Sequence, residues 1–221
     1  MKFAALETST DWCSAALWLD GDIVGLEERA GNRHAERLLP MLEALCIRAG
    51  VDAAALQAVA FGAGPGSFTG LRIACGVAQG LAMARDLPVL GIPTLHALAE
   101  ESGARQVAAC LDARMGEVYY SALRKSAQGW EEIIPVHCVP PARIERPQGD
   151  WTGCGNGFSV YGNMGFETIL PEVHPSAVAV ARLAAPRLAA GEGIDAALAA
   201  PLYVRDKVAF TTEERNAGRL G

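Results

Sequence analysis

The chain opens with short apolar runs set between polar turns. Phe3 to Leu6 is apolar, Glu7 to Asp11 polar, and Cys13 to Leu19 apolar again, before an Asp20-Gly21-Asp22 turn and the strand-like Ile23 to Leu26. This pattern predicts a three-strand meander. From 34 to 49 the period lengthens to that of a helix. Leu38, Leu42, Leu45, Cys46 and Ala49 recur on one face, Gly50 marks the stop, and Pro40 has to begin or kink the helix. Gln57 to Phe61 predicts a short strand and Gly62 to Gly66 a glycine-rich turn; Ser67 then caps a helix reaching about Arg85, and Val89 to Ile92 forms another strand.

The second half restates the first. Val107 to Leu111 is an apolar strand ending in Asp112, as Phe3 to Leu6 ends in Glu7. A polar turn from Ala113 to Gly116, the strands Val118 to Leu123 and Trp130 to Val136, and the glycine-rich Trp151 to Gly157 follow in the same order. An internal duplication predicts two α/β lobes, 1–102 and 103–221, each a meander with helices.

Composition narrows the options. A chain of 221 residues, 51% hydrophobic and 20% charged, is large enough for one domain or two intimate lobes with a real core. Its net charge of −6 argues against a protein that grips nucleic acid unaided, because phosphate contacts need clustered Lys and Arg. The apolar run after Lys2 is too short for a signal peptide and Ala177 to Ala190 is interrupted by Arg182, Pro186 and Arg187, so a cytoplasmic protein without a membrane role is expected. The six cysteines, Cys13, Cys46, Cys75, Cys110, Cys138 and Cys154, stand singly and signal neither a zinc site nor a disulfide framework.

The segment with most chemical content is Phe61-Gly-Ala-Gly-Pro-Gly-Ser-Phe-Thr-Gly-Leu-Arg-Ile73. Its glycines allow a tight turn that exposes N–H groups at a helix N-terminus, which suits a phosphate cradle and equally a plain strand-to-helix corner capped by Ser67. The Lys-Ser/Thr ending of a P-loop is absent. Glu7 and Asp112, at strand ends, are candidates for a magnesium-holding cleft or for acceptors within their own turns, and Asp112 can also pair with Arg114. His34 and Glu36 point to different helix faces and read as surface or helix-start residues. The helix from Thr69 to Ala84 is apolar or small almost all round, and Gly76, Gly80 and Ala84 stack at i, i+4. An interior glycine costs about 1 kcal/mol against alanine, so close approach of another backbone is expected there. One face should pack on the sheet and the other on a second subunit, giving Leu38, Leu42, Leu45, Leu71, Cys75, Gly76 and Gly80 as the expected partner surface. The alternative is a helix buried wholly within its lobe.

With Leu6-Glu-Thr-Ser-Thr10, His34-Ala-Glu-Arg-Leu-Leu-Pro40, Leu111-Asp-Ala-Arg-Met-Gly-Glu-Val-Tyr119 and Pro201-Leu-Tyr-Val-Arg205 around it, the Gly64-Pro-Gly-Ser-Phe-Thr-Gly-Leu-Arg-Ile73 segment resembles the TsaB (YeaZ) family along nearly the whole chain. The resemblance implies the two-lobed fold of the actin, hexokinase and chaperone ATPase superfamily. It also implies a non-catalytic partner subunit in threonylcarbamoyladenosine synthesis on tRNA, acting with TsaD and TsaE, with a possible homodimer and tRNA contacted only indirectly. Glu7 stands where this family usually has Asp. The catalytic sister TsaD carries a metal-binding His-x-x-x-His, and alignment on Gly91 places Thr94 and Leu98 at those two positions with His96 between them. No catalytic residue, metal or cofactor is therefore expected, with His96 read as a capping or exposed residue. Glu7, Thr8, Ser9, Gly64, Gly66, Ser67 and Asp112 mark a vestigial nucleotide cleft. The rival readings are an active kinase or carbamoyltransferase using that cleft, and a glycoprotease, for which no H-E-x-x-H or activated nucleophile is present.

Overall fold

The computed structural model describes residues 1–205. The meander forms as β1 (Lys2–Glu7), β2 (Trp12–Leu19) and β3 (Asp22–Arg29), followed by α1 (His34–Ala49), β4 (Val59–Gly64), α2 (Phe68–Met83) and β5 (Val89–Pro93). Helix α3 (Thr94–Glu101) leads into β6 (Gln106–Arg114), β7 (Glu117–Ser126), β8 (Gly129–Val139), β9 (Thr152–Cys154), α4 (Gly157–Tyr161), β10 (Thr168–Leu170) and α5 (Ala177–Ala189). The two five-stranded sheets have the orders β3-β2-β1-β4-β5 and β8-β7-β6-β9-β10. In each, the first three strands pair antiparallel and the last two join in parallel, so the repeat seen in the sequence is a repeat of topology.

Alternation along β1 assigns its two faces. Ala4 and Leu6 join the cluster under α1 and α2, whereas Phe3 and Ala5 join the cluster under α5. A central strand covered on both sides has to be apolar at every position. The Gly50 N–H bonds the Ile47 carbonyl from a left-handed φ of 63°, which ends α1 where the sequence indicated, and Ser67 Oγ accepts the Gly70 N–H at 3.3 Å to begin α2. Pro40 neither begins nor ends α1 but lies inside it.

Three expectations change. Gly62 to Gly64 continue β4 instead of turning, because the residues there have to approach their neighbours closely: a Cβ at Gly62 would sit 1.8 Å from Glu7 Oε2. Leu38 and Leu45 are buried with Cys75 in the lobe's own core and Leu71 is 2% exposed, so these four do not form an outer surface, whereas Leu42, though 5% exposed, lines a groove on the outer side of α1. The boundary after residue 102 also fails to separate the lobes, because α5 returns to cover the first sheet and Ile194 pairs with Val89 at 2.8 and 2.9 Å on its edge. Helix α3 lies between the sheets, with Ala97 in the cluster of α5 and Leu95, Leu98 and Ala99 in that of the second sheet.

Candidate functional site

The ends of β1 and β6 face each other across a cleft of about 360 Å³ between the lobes, lined by Ser9, Gly66, Ser67 and Asp112 among others. Glu7, Thr8 and Gly64, expected in the same cleft, lie beneath its floor and are buried. Glu7 Oε1 accepts the Ser9 N–H at 2.5 Å, while Oε2 and the Ser9 hydroxyl have no partner of good geometry among the described residues. Burial pushes the Glu7 carboxyl above its usual range; the backbone hydrogen bond from Ser9 acts against that shift without overcoming it. A carboxyl so placed accepts bonds from its own turn and presents no oxygen to the cleft.

The glycine-rich corner is packed, not open. A Cβ on Gly66 would lie 2.6 Å from the Ser9 carbonyl oxygen and one on Gly70 would lie 1.9 Å from that of Thr8. Three of its donors are engaged: Gly64 N–H to Thr94 Oγ1 at 3.0 Å, Ser67 N–H to the Ser9 carbonyl at 2.7 Å, and Gly70 N–H to Ser67 Oγ. The glycines thus bring the β4–α2 corner against the β1–β2 turn. Opposite, Asp112 accepts from Arg114 N–H at 3.0 Å and from the Tyr161 hydroxyl at 3.1 Å, and its other oxygen pairs with Arg114 at 3.3 Å.

The positions aligned with the sister family's metal ligands serve packing. Thr94 is fully buried and bonded to Gly64, and Leu98 lies in the core of the second sheet. His96 is neither a cap nor fully exposed; it reaches β8, where Nε2 shares a 3.0 Å hydrogen bond with Glu132, and desolvation lowers its pKa against the pull of that carboxylate. Among the described residues no group of three or more His, Cys, Asp or Glu side chains is placed to hold a metal ion. His34 corrects the sequence reading too: it starts α1 but is 4% exposed, and burial lowers its pKa. Burial raises the pKa of all six cysteines, to about 11 for Cys13 and about 12 for Cys154, which removes the thiolate a cysteine nucleophile would need.

The sequence also missed part of the cleft wall. Leu202, Tyr203, Val204 and Arg205 line it, and although the Pro201-Leu-Tyr-Val-Arg205 pattern was visible, nothing local indicated that it crosses between lobes. On the far side of the first lobe, Gly76 and Gly80 are exposed, and a Cβ on either would meet nothing within 4 Å among the described residues. Half-buried Ile73, Val77 and Leu81 lie on α2 nearby, with Ile47 of α1 exposed by 75% and Met83 by 64%. A shallow apolar groove of about 520 Å³ runs along this side between Leu39, Cys46, Ile47 and Leu81.

The chain is similar to known proteins over nearly its full length. Residues 27–210 match the family model described as TsaD, tRNA N6-adenosine threonylcarbamoyltransferase. The tRNA threonylcarbamoyladenosine biosynthesis protein TsaB of Escherichia coli is 34% identical, over 95% of this chain and 97% of that one. The TsaB of Haemophilus influenzae is 35% identical over 95% and 96%. The solved structure of YeaZ from Pseudomonas aeruginosa superposes with a TM-score of 0.87 at 40% identity, covering 91% of this chain and 99% of that one.

Proposed function

Because the chain belongs to the TsaB (YeaZ) family of tRNA threonylcarbamoyladenosine biosynthesis proteins and has the two-lobed actin-like ATPase fold, we propose that it acts in that pathway as a non-catalytic partner subunit. The observation that carries this reading is the sealed floor of the cleft. Glu7 is buried where a metal-holding carboxylate would have to be accessible, under a glycine corner packed against the β1–β2 turn. The chemistry then belongs to TsaD, which this subunit binds, with TsaE as a further member of the complex. Threonine, bicarbonate and ATP yield threonylcarbamoyl-adenylate, and the TsaD-containing complex transfers the threonylcarbamoyl group to the adenosine beside the anticodon. The chain itself needs no cofactor and meets tRNA only through its partners, in keeping with its net charge of −6. No helix among the described residues is long and apolar enough to cross a membrane, and the work is cytoplasmic.

The partner surface is the outer side of α1 and α2. Two exposed helix-interior glycines, whose added Cβ would meet nothing within 4 Å among the described residues, sit there beside an apolar groove, and a second backbone against them would offset their conformational cost. The same surface serves a homodimer when TsaD is absent. Reconstitution of tRNA modification with and without this chain, alongside ATP turnover by the isolated chain, tests the assignment. Modification that requires the chain, with no turnover by the chain alone, is expected. Turnover abolished by Asp112→Ala would instead make it an active kinase or carbamoyltransferase, the reading that the volume of the cleft favours.

A further inference from the structure

The segment after α5 does not simply trail away from the fold. It first binds the first lobe, where Ile194 pairs with Val89, Gln79 Nε2 donates to the carbonyls of Ala196 and Ala199 at 3.2 and 3.1 Å, and the Leu202 N–H donates to the Ala63 carbonyl at 2.7 Å. The Leu202 carbonyl oxygen lies 2.7 Å from where a Cβ on Gly64 would be, so the strand below has to carry glycine for the segment to lie this low. Tyr203 packs beside Phe68 with ring centroids 5.8 Å apart and the planes tilted by 37°, and it accepts from Arg72 Nε at 3.1 Å, which holds it to the start of α2. Two residues later the chain is on the other lobe. Arg205 Nη2 meets Glu117 Oε2 at 2.5 Å and the Arg114 carbonyl at 3.3 Å, gripping the β6–β7 turn, with its side chain 14% exposed.

We propose that Pro201–Arg205 is an interlobe latch: it closes the mouth of the cleft and, through the Arg205–Glu117 pair, fixes the angle between the lobes. The anchoring on the first lobe is spread over backbone bonds, a glutamine, a tyrosine and the Val89–Ile194 edge pairing. Among the described residues, the segment's hold on the second lobe is concentrated in one guanidinium. That asymmetry makes Arg205 the point of release, and it keeps the strap docked on the first lobe when the latch opens. A charged hydrogen bond shielded to this degree is strong enough for its loss to raise local opening by about tenfold.

Hydrogen exchange by mass spectrometry on the full chain tests this. Arg205→Ala is expected to speed exchange by about tenfold in peptides covering the β6–β7 turn (112–117) and the end of the strap, leaving peptides of β1, α1 and α5 unchanged. Arg205→Lys, which keeps the charge, should restore part of the protection, and Glu117→Gln should reproduce the alanine pattern. The reversed pair Glu117→Arg with Arg205→Glu should be better protected than either single reversal. Unchanged exchange in Arg205→Ala would overturn the latch. So would acceleration spread evenly over the whole chain, since that would make Arg205 a contributor to global stability and not a local fastening.

Discussion

Glycine does opposite jobs in this chain, and the difference can be measured residue by residue. Gly70 is pressed against the Thr8 carbonyl oxygen, 1.9 Å from an added Cβ, whereas Gly76 has open space around it. Gly70→Ala should therefore destabilise the protein by about 3 kcal/mol or more, because backbone has to move. Gly76→Ala should stabilise the isolated chain by about 0.5–1 kcal/mol through helix propensity alone. Denaturant titration of both variants checks the pair, and equal effects would show that the corner is not close-packed. Glu7 gives a pH test. Its carboxyl is raised by burial, so the folded state holds a proton that the unfolded state gives up, and stability is lost as pH rises from the ordinary carboxylate range through the raised value. Glu7→Gln keeps the acceptor for Ser9 and removes the titration; its melting temperature should gain on the wild type as pH rises above the ordinary value of 4.5, and parallel curves would contradict the assignment. The acidic strand end itself was legible, since carboxylates close β1 and run near the end of β6. Its burial was not, because what covers Glu7 is Gly62 on a strand more than fifty positions away.

At the scale of elements, the meander, α1 with its glycine stop and α2 with its serine cap were readable because each is fixed by neighbours within a few residues. Helix α5 was not. Its Ala177-Val-Ala-Val-Ala run shows no strong polar face, and only the fold reveals that Ala181 and Ala184 lie against Phe3, Ala16 and Ala60 in the first sheet. Small residues there let the helix sit close, so Ala184→Leu should overpack the interface and cost about 1–3 kcal/mol, read as a lower denaturation midpoint with an unchanged slope. An unaltered midpoint would show that α5 is loosely docked. The same limit explains the interface residues. A helical wheel shows that α1 and α2 are apolar on more than one side, but which side meets the sheet is decided by β2 and β4, and that placed the leucines of α1 inside and the glycines of α2 outside.

For the whole molecule, the duplicated sheets, the cleft with Glu7 buried beneath it and the outer α1–α2 surface support the proposed account, in which a fold of the actin-like ATPase type is kept as a scaffold whose partner does the work. The duplication and the family were legible end to end, whereas the exchange of α5 back to the first lobe depends on contacts between distant segments. The most direct test of the account is Gly76→Arg or Gly80→Arg. Each places a long cation on an exposed face with nothing within 4 Å of the new Cβ, so the isolated chain should keep its circular dichroism spectrum and melting temperature. Burying an unpaired guanidinium against a partner costs several kcal/mol, enough to move a micromolar complex beyond detection. In co-elution with TsaD coupled to a threonylcarbamoyladenosine assay, the account predicts a folded, solitary chain and no modified tRNA; a folded variant that still co-elutes and supports full modification would contradict it.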